Sequence, residues 1–580
     1  MNNESKRHYL YLFLSILSGS ILFLSFPKWD LWALIWFGLV PIFYVSLKAK
    51  NKTEAFRYGF FTGLTFFIGT QYWIYHSMNH YGNIAFIPSI LIVILLCTYQ
   101  SLYIGLFSLL INKVKLPLYL TAPIFWCSME YLREILLTGF PWSFLGHSQY
   151  KNISLIQIAD ITGVYGISFL IVMANAVIYH LLFTKVWRHT SLNRHLIPIV
   201  AFLLLFTGTI FYGIERVKGC AHTPSQDREV CLHTTVKIGI IQANIEQHMK
   251  WDKNFSQTVF EKYENLTKEL VKKANPELVV WPETALPFVF NANPDMADRL
   301  LAFKKELPSS LLFGSVLVKD YINGKYILSN SALFYGSAPP HLDGSAPPHL
   351  DGSALTHLYS ASNKPDYIYD KIHLVPFGEY IPLKNSLLFF LDKLVNAIGD
   401  FAPGSDYTVA TTPNFSFSTH ICYEIIFSDL VRKCVGAPPS KCVGAPPSKC
   451  VGAPPCNKDV DFIITITNDA WFGDTAGPYQ HFAISVFRAV ENKKPLIRAA
   501  NTGISGFISA TGFIERKTNL FETATLTHNV QKHKAYTFYT KYGNIFVYLC
   551  NTLSIIIILF FRRKINDNSA RVKRKGETSN

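Results

Sequence analysis

Long apolar runs, separated by short polar segments, dominate the first 215 residues of the chain. A helix that crosses a membrane needs about 20 mostly apolar residues. Seven runs of about that length occur in this part of the chain, and an eighth lies near the C-terminus. They are centred roughly on residues 9–27, 31–48, 57–78, 85–112, 117–137, 163–184, 196–214 and 543–561. The pattern predicts a polytopic α-helical membrane bundle of about eight helices.

The pattern changes at residue 216 and stays different to about residue 540. Short apolar runs alternate there with polar helical stretches, which is typical of a mixed α/β domain. The runs that predict strands are 236–243, 278–281, 311–317, 417–422, 462–467 and 496–500, and residues 255–273 predict an amphipathic helix. We therefore expect a bundle over residues 1–215, an α/β domain over 216–540, a final transmembrane helix over 541–561 and a basic cytoplasmic tail over 562–580.

Two repeats of eight residues interrupt the predicted α/β domain, near residues 336–353 and 433–456. Segments so rich in Gly, Pro and Ala bury too little surface to offset the entropy of ordering them, so we expect mobile surface loops. The second repeat carries Cys434, Cys442, Cys450 and Cys456 in this sequence. Because none of them forms a Cys-x-x-Cys pair, we predict no metal site.

Composition and charge support the membrane prediction. The chain is 49% hydrophobic and 16% charged, against about 25% charged residues in a typical soluble domain. Its net charge of +15 is spread over short basic clusters beside the apolar runs. This distribution favours cytoplasmic flanks of membrane helices over binding to nucleic acid.

Lysine and arginine are concentrated in every second loop and in the tail. By the positive-inside rule, both termini are then cytoplasmic and residues 216–540 lie on the outer side of the membrane. The fifth run weakens this prediction because Glu130, Arg133 and Glu134 interrupt it. If that run does not cross the membrane, the parity changes and the domain lies on the cytoplasmic side.

Three segments of the α/β domain place a reactive side chain at the end of an apolar run. They carry Glu283, Lys371 and Cys422. A carboxylate can take the thiol proton, so that the thiolate attacks an ester carbonyl. An ammonium can stabilise the negative charge on the thiolate and then on the tetrahedral oxygen. The three residue types together predict acyl transfer through a thioester, which requires no cofactor.

The motifs around these residues resemble the nitrilase superfamily, and more closely the apolipoprotein N-acyltransferases. The resemblance runs almost from end to end of the chain. Its motifs are Gly-Phe-Pro-Trp at 139–142, Gln-Ala-Asn-Ile at 242–245, Trp-Pro-Glu at 281–283, residues 371–382, Cys-Tyr-Glu at 422–424, Asn-Asp-Ala-Trp-Phe-Gly at 468–473 and Gly-Pro-Tyr-Gln-His at 477–481.

The resemblance implies a nitrilase-like α-β-β-α sandwich beside the membrane bundle. It implies that Glu283 is the general base, that Lys371 stabilises negative charge and that Cys422 is the nucleophile. By the same resemblance Glu379 supports this triad. The residues implied to shape the acyl and substrate site are Trp251, Asn330, Tyr423 and Glu424.

The reaction implied by the resemblance takes an acyl chain from a phospholipid, typically phosphatidylethanolamine. It places the chain on the α-amine of an S-diacylglyceryl-cysteine apolipoprotein, the final step of lipoprotein maturation. The expected location is the bacterial inner membrane, with the catalytic domain in the periplasm. A self-contained triad is compatible with a monomer.

Two other functions remain open at this point. A membrane-anchored amidase or nitrilase-type hydrolase would use the same triad, with water in place of the amine. A transporter or receptor would use the domain only to bind a ligand. Several polar residues also have a purely structural interpretation: 468–473 as a turn, His373 and His481 as satisfied polar residues, and Arg498 as the partner of an unidentified buried carboxylate.

Overall fold

The computed structural model describes residues 3–82, 84–114, 116–183, 193–221, 235–247, 250, 255–322, 325–337, 364–376, 378–380, 401–436 and 460–577. Trp251 and most of both repeats lie outside the described residues. The predicted mobility of the repeat loops therefore stays a prediction.

Sixteen α-helices occur in the described part of the chain. They are α1 (Asn3–Leu24), α2 (Val40–Lys48), α3 (Lys52–Gln71), α4 (Trp73–His76), α5 (Phe86–Lys113), α6 (Leu118–Ile135), α7 (Ile153–Ile156), α8 (Ala159–Thr162), α9 (Val164–Phe183), α10 (Asn193–Ala221), α11 (Ser256–Ala274), α12 (Pro294–Glu306), α13 (Ser428–Gly436), α14 (Gly477–Asn492), α15 (Phe538–Tyr542) and α16 (Ile545–Glu577).

Two compact units make up the chain. The first, the bundle unit, comprises Met1–Tyr72, Ile90–Arg216 and Asn544–Asn580. The second, the catalytic unit, comprises Trp73–Ser89 and Val217–Gly543. Each unit is therefore assembled from segments that are far apart in sequence.

Five described helices of the chain are long and apolar enough to cross a membrane: Asn3–Leu24, Phe86–Lys113, Val164–Phe183, Leu196–Lys218 and Ile545–Arg562. The other three predicted runs are also helical. The run at 31–48 is a shorter apolar helix, Trp32–Lys48, and the runs at 57–78 and 117–137 correspond to α3 and α6. The chain is thus a polytopic helical membrane protein, as predicted.

The charged residues of the fifth run are buried inside the bundle unit. Glu130 is 4% exposed and accepts hydrogen bonds from Trp126 Nε1 at 3.0 Å and Leu145 N at 2.8 Å. The Arg133 guanidinium lies over the rings of Phe67 and Phe144, at 4.9 and 5.0 Å. These partners offset part of the cost of burying charge among apolar helices.

Twelve strands form the two sheets of the catalytic unit in the part of the chain that the structure describes. They are β1 (Thr235–Gln242), β2 (Leu278–Val280), β3 (Ser310–Ile322), β4 (Lys325–Tyr335), β5 (Tyr367–Asp370), β6 (Val409–Thr411), β7 (Ser416–Ile421), β8 (Phe462–Thr467), β9 (Leu496–Ala500), β10 (Gly506–Ile508), β11 (Ile514–Lys517) and β12 (Ala524–Gln531).

Each sheet has six strands, in the orders β12-β1-β2-β3-β4-β5 and β11-β10-β9-β8-β7-β6. The centre of each sheet is parallel: β1, β2 and β3 in one, and β7, β8 and β9 in the other. The carboxyl ends of parallel strands lie at one edge of a sheet, where α/β proteins place their sites. The residues that follow β2 and β7 are therefore brought to such edges.

Two apolar cores define the layers of the catalytic unit. One contains side chains from both sheets, including Ile240, Val280, Phe417 and Ile464. The other lies between the first sheet and helices α11 and α12. Helix α11 turns an apolar face inward because its apolar residues recur at helical spacing, and Asn275 ends it in the left-handed conformation, with φ 43°. With α13 and α14 beside the second sheet, this is the predicted α-β-β-α sandwich.

Two details of the structure differ from the sequence predictions. Half of the strands, β4, β5, β6, β10, β11 and β12, lie outside the predicted strand runs. Strand β4 was missed because buried polar residues at 329–331 interrupt its apolar pattern. Cys434 was expected in flexible sequence, and this prediction is wrong. The residue is 2% exposed and lies on helix α13, whose last residues are the first residues of the second repeat.

Candidate active site

Glu283 lies in a tight turn that follows strand β2. The residue is only 5% exposed, and the next residue, Thr284, has φ 43°. Strand β3 approaches the turn at Gly314, where a Cβ atom would lie 2.7 Å from the Glu283 Cα. A residue with a side chain at 314 would displace the turn, so glycine permits the close approach.

The Glu283 carboxylate has a fixed orientation. Its Oε2 accepts from the backbone N–H of Asn468 at 2.9 Å. Its Oε1 accepts from Asn330 Nδ2 at 2.7 Å and lies 3.5 Å from Lys371 Nζ. The Asn330 amide also donates to Glu379 Oε1 at 2.8 Å. Asn330, on β4, therefore links the two carboxylates on either side of the ammonium.

Lys371 directly follows strand β5 and is 1% exposed. Its Nζ lies 2.9 Å from the Glu379 carboxylate, which is itself held by the backbone N–H of Val375 at 2.8 Å. Burial alone would lower the pKa of Lys371, but the charges of Glu379 and Glu283 outweigh it and raise this pKa above its ordinary value. The lysine is therefore a permanent cation of the site.

Cys422 is the first residue after strand β7 and has φ 52°, a conformation that is strained for a residue with a Cβ atom. The residue is buried, with 8% exposure. Burial raises the pKa of the Cys422 thiol, the charge of Glu283 raises it further, and Lys371 acts in the opposite direction. The thiol consequently keeps its proton at rest, and a base is needed to generate the thiolate.

Glu424 is fully buried and organises the backbone around Cys422. Its Oε2 accepts from Ile421 N at 2.7 Å. Its Oε1 accepts from the Tyr369 hydroxyl at 2.8 Å and from the N–H groups of Ile372 and His373 at 2.6 and 3.2 Å. Burial raises the pKa of Glu424 to about 7, while the hydrogen bonds from Ile421, Tyr369 and His373 and the charge of Lys371 lower it. One side chain thus connects the segment after β5 to the segment after β7.

Replacing Glu424 by glutamine is expected to lower the free energy of unfolding by about 1–3 kcal/mol, because the amide nitrogen turns an acceptor into a donor that faces buried N–H or O–H groups. Chemical denaturation of the detergent-solubilised protein measures this loss. Glu269→Gln, at an exposed position of α11, is the matched control and should leave the stability unchanged. Equal stability of the Glu424→Gln variant would contradict the connecting role.

The ring of Tyr423 packs against two other aromatic rings. It lies 5.7 Å from the ring of His373 and 5.2 Å from that of Phe427. Burial and the charge of Lys371 lower the pKa of His373 to about 4, so this histidine is neutral near pH 7. His373 therefore forms an uncharged aromatic cluster with Tyr423 and Phe427. Trp251, also expected at the site, lies outside the described residues.

The segment at 468–473 contributes more than a turn. Besides the Asn468 N–H on Glu283, Asp469 is fully buried and pairs with Arg498, whose Nη2 lies 2.7 Å from Asp469 Oδ2. His481 Nε2 donates to the carbonyl oxygen of Cys422 at 3.2 Å, and its Nδ1 lies 3.0 Å from Asp469 Oδ1. The carboxylate partner of Arg498, left open by the sequence, is therefore Asp469, and His481 is a satisfied polar residue that supports the nucleophile strand.

Residues 73–89 belong to the catalytic unit and contact the same segment. Trp73 packs on Phe472 with ring centroids 4.7 Å apart, and the Ser77 hydroxyl donates to the carbonyl oxygen of Trp471 at 2.7 Å. Gly473 has φ 60° and lies so close to His76 that a Cβ atom would be 2.3 Å from its ring. The sequence assigned residues 73–89 to the bundle, because apolar pattern alone cannot show which unit a short connection joins.

Lys250 was not predicted as a site residue. It is 1% exposed, and its Nζ donates to the backbone carbonyl of Glu283 and to Thr284 Oγ1, both at 3.1 Å. In sequence it stands in a polar stretch and has the pattern of an ordinary surface lysine. Only its burial in the fold distinguishes it.

The cluster contains a carboxylate, a permanent ammonium and a protonated thiol in a largely buried setting. The carboxylate can act as a base toward the thiol. The ammonium can stabilise an anionic oxygen, and its effect is strong because the site excludes most water. This combination suits covalent acyl transfer or the hydrolysis of an amide or ester.

Family models and solved structures match parts of the chain. The family model described as "Apolipoprotein N-acyltransferase N-terminal domain" matches residues 18–177, and the one described as "Carbon-nitrogen hydrolase" matches residues 456–539. Solved structures similar to the chain include a nitrilase-superfamily member from Saccharomyces cerevisiae and an amidase from Nesterenkonia sp.. Both are 14% identical with a TM-score of 0.33; the chain matches over 51% and 52% of its length, and 90% and 93% of theirs.

Curated relatives match over nearly the whole chain, and each bears the name apolipoprotein N-acyltransferase. The protein from Geobacter metallireducens is 35% identical, with 96% of both chains covered. Those from Haemophilus influenzae and Rickettsia prowazekii are both 31% identical, with 97% of this chain and 97% and 99% of theirs covered. With identity at this level over both units, the chain belongs to the apolipoprotein N-acyltransferase family.

Proposed function

We propose that the chain transfers a fatty acyl group from a phospholipid to the N-terminal amine of an S-diacylglyceryl-cysteine apolipoprotein, through a thioester on Cys422. The observation that carries this proposal is the buried cluster of Glu283, Lys371 and Glu379 beside a protonated thiol. Membership of the family makes the chain an N-acyltransferase rather than a membrane-anchored amidase, nitrilase-type hydrolase or transporter.

The first half-reaction forms the thioester. Glu283 accepts the thiol proton, and the Cys422 thiolate attacks the ester carbonyl of the phospholipid. Lys371 stabilises the tetrahedral oxygen with its positive charge. When the carbon–oxygen bond of the ester breaks, the proton on Glu283 passes to the departing alkoxide, and a lysophospholipid leaves.

The second half-reaction uses the same residues in the reverse order. The apolipoprotein amine attacks the thioester carbonyl, and Glu283 takes the proton that the amine must lose. The carbon–sulfur bond then breaks, and the proton returns from Glu283 to the Cys422 sulfur. The product is an amide, and the enzyme recovers its starting protonation state without any cofactor.

The remaining assignments extend this proposal. Glu379 keeps Lys371 in place, Asn330 links the two carboxylates, and Tyr423, Glu424 and Trp251 shape the acyl and substrate site. Phosphatidylethanolamine is the proposed donor, in accordance with the family resemblance. The distribution of Lys and Arg supports a catalytic unit on the periplasmic side of the inner membrane. Since the clustered residues come from one chain, a monomer suffices for the chemistry.

Mass spectrometry of the purified protein tests this function. After incubation with phosphatidylethanolamine and no acceptor, we expect the peptide that contains Cys422 to carry one acyl chain that hydroxylamine removes. Addition of a diacylglyceryl-cysteine peptide should discharge the adduct and yield an N-acylated peptide. Phosphatidylglycerol in a parallel sample tests the headgroup, and equal labelling by both lipids would contradict the preference for phosphatidylethanolamine.

A folded sample that N-acylates the peptide without ever carrying an acyl group on Cys422 would exclude the thioester. A sample that releases free fatty acid and leaves the peptide unmodified would instead indicate hydrolysis. The experiment therefore tests the thioester intermediate and the N-acyltransferase activity separately.

A further inference from the structure

Lys250 is buried next to the proposed base but takes no part in the chemistry described above. Its Nζ is 3.1 Å from the backbone carbonyl oxygen of Glu283 and 3.1 Å from Thr284 Oγ1. Both acceptors are neutral. A buried ammonium normally pairs with a carboxylate, because neutral acceptors compensate only part of the cost of removing its charge from water.

The surroundings of Lys250 link it electrostatically to the reacting groups. Burial lowers the pKa of Lys250 to about 7, while the charges of Glu283 and Cys422 act in the opposite direction. An apolar side chain of similar length would fill this position at lower cost. A residue that costs stability in this way is more readily explained by function than by packing.

The turn that Lys250 contacts needs support. Thr284 adopts φ 43°, which is unfavourable for a residue with a branched side chain. Strand β3 supports the turn through Gly314 N, which donates to Pro282 O at 3.2 Å, and through Gly314 O, which accepts from Ala285 N at 2.9 Å. The two hydrogen bonds that Lys250 donates lie between these two points along the chain. Their acceptors belong to Glu283, which bears the carboxylate, and to Thr284, the strained residue after it.

We propose that Lys250 is a positioning residue for acyl transfer, which fixes the turn 282–284 and so holds the Glu283 carboxylate in the orientation that reaches the Cys422 thiol. The inference rests on the proposed function, in which Glu283 is the base. Lys250 acts on the reaction through the backbone of Glu283 and does not itself touch the substrate. A shift of the turn by about 1 Å would cost on the order of 100-fold in rate.

The variants Lys250→Met and Lys250→Arg test this role. Lys250→Met keeps the length and removes both hydrogen bonds, whereas Lys250→Arg keeps N–H donors. Lys237→Met is the matched control, because Lys237 Nζ also donates to a backbone carbonyl, that of Ala274 at 3.1 Å, away from the cluster. The measurements are the rate of Cys422 acylation in a single turnover, the donor concentration for half-maximal rate, and the thermal midpoint.

In Lys250→Met we expect the acylation rate to fall by about 10- to 100-fold, with the half-saturating donor concentration close to wild type and the thermal midpoint at least as high as that of the wild type. Lys250→Arg should recover part of the rate, and Lys237→Met all of it. A wild-type rate in Lys250→Met overturns the proposal. A loss of activity no larger than the loss of folded protein also overturns the proposal, because a purely structural role predicts that result.

The pH profile gives an independent readout. As pH falls through about 7, Lys250 gains a proton, and the new positive charge beside Glu283 opposes the transfer of a proton to the carboxylate. The wild-type acylation rate should therefore fall with an inflection near pH 7 that Lys250→Met lacks. Glu424 has its pKa raised to about 7 as well, and an inflection that persists in Lys250→Met counts against Lys250.

Failure of the thioester proposal is distinguishable from failure of this one. If the wild-type protein forms no adduct, the comparison is made on the overall N-acylation of a diacylglyceryl-cysteine peptide. A lower kcat in Lys250→Met with unchanged KM then supports the positioning role, and an unchanged kcat overturns it.

Discussion

Cys422→Ala is expected to lower kcat/KM for N-acylation of a diacylglyceryl-cysteine peptide by at least about 10⁴-fold. Without the sulfur no thioester can form, and Glu283 and Lys371 have no nucleophile to activate or stabilise. The protein itself should remain folded, because the change removes one atom and leaves the backbone bond from His481 to the carbonyl of residue 422 in place. Mass spectrometry of the peptide product measures the rate.

The control for this prediction is Cys434→Ala. Cys434 is also a buried free cysteine, 2% exposed, but it lies on helix α13, where its side chain contacts Tyr369. We expect its activity to be close to that of the wild type. If Cys422→Ala retained more than about a hundredth of the activity while Cys434→Ala retained all of it, the covalent mechanism would be wrong.

Lys371→Met should remove both activity and stability. The cation is the charge partner of Glu283 and Glu379, whose side chains are 7% and 12% exposed. Breaking a buried ion pair from one side typically costs about 3–5 kcal/mol, because the remaining charge stays buried without compensation. Here two carboxylates remain, and Asn330 can donate only two hydrogen bonds to them. We also expect at least about a 10³-fold loss of acylation rate, as for the loss of a group that stabilises an oxyanion.

The stability loss in Lys371→Met should depend on pH in a defined direction. Without the ammonium, burial and mutual repulsion disfavour the charged form of the two carboxylates in the folded variant. The folded variant then binds protons more tightly than the unfolded chain, so its stability falls as pH rises from about 5 to 8. Chemical denaturation at both pH values measures the difference.

Lys319→Met is the matched control for Lys371→Met. Lys319 Nζ lies 2.7 Å from Asp370 Oδ2, in a pair whose side chains are 20% and 27% exposed. A more solvated pair of this kind is worth no more than about 1 kcal/mol. A loss in Lys371→Met no larger than in Lys319→Met would show that Glu283 and Glu379 do not depend on the ammonium.

The buried parallel strands and the membrane helices were the most predictable parts of the fold. The predicted strands at 462–467 and 496–500 coincide with β8 and β9, since strands buried on both faces are continuous apolar runs. Strands β10, β11 and β12 are shorter or partly exposed, so their composition resembles that of turns. Of the eight predicted spans, five are long and apolar enough to cross a membrane within the described residues. The run at 31–48 is shorter, and the run at 117–137 carries Glu130, Arg133 and Glu134.

The pairing of distant polar residues was not predictable. Arg498 and Asp469 meet because β8 and β9 pair in parallel, with Thr465 opposite Arg498. Neither residue carries a local signal that names its partner, and the register of two strands depends on the packing of both sheets. The position of Asn330 was also not predictable. In the sequence this polar residue interrupts an apolar strand pattern, and only the fold of β4 places it between Glu283 and Glu379.

The sequence by itself determined the class of this protein: apolar runs long enough for a membrane, an α/β domain, and a carboxylate, an ammonium and a thiol that each end an apolar run. Those features are local, because length, periodicity and residue type set them. The tertiary structure alone decided which charges are compensated and which are not. The pKa of Lys371 is raised and that of Lys250 is lowered although both are buried lysines, because only one of them lies beside two carboxylates.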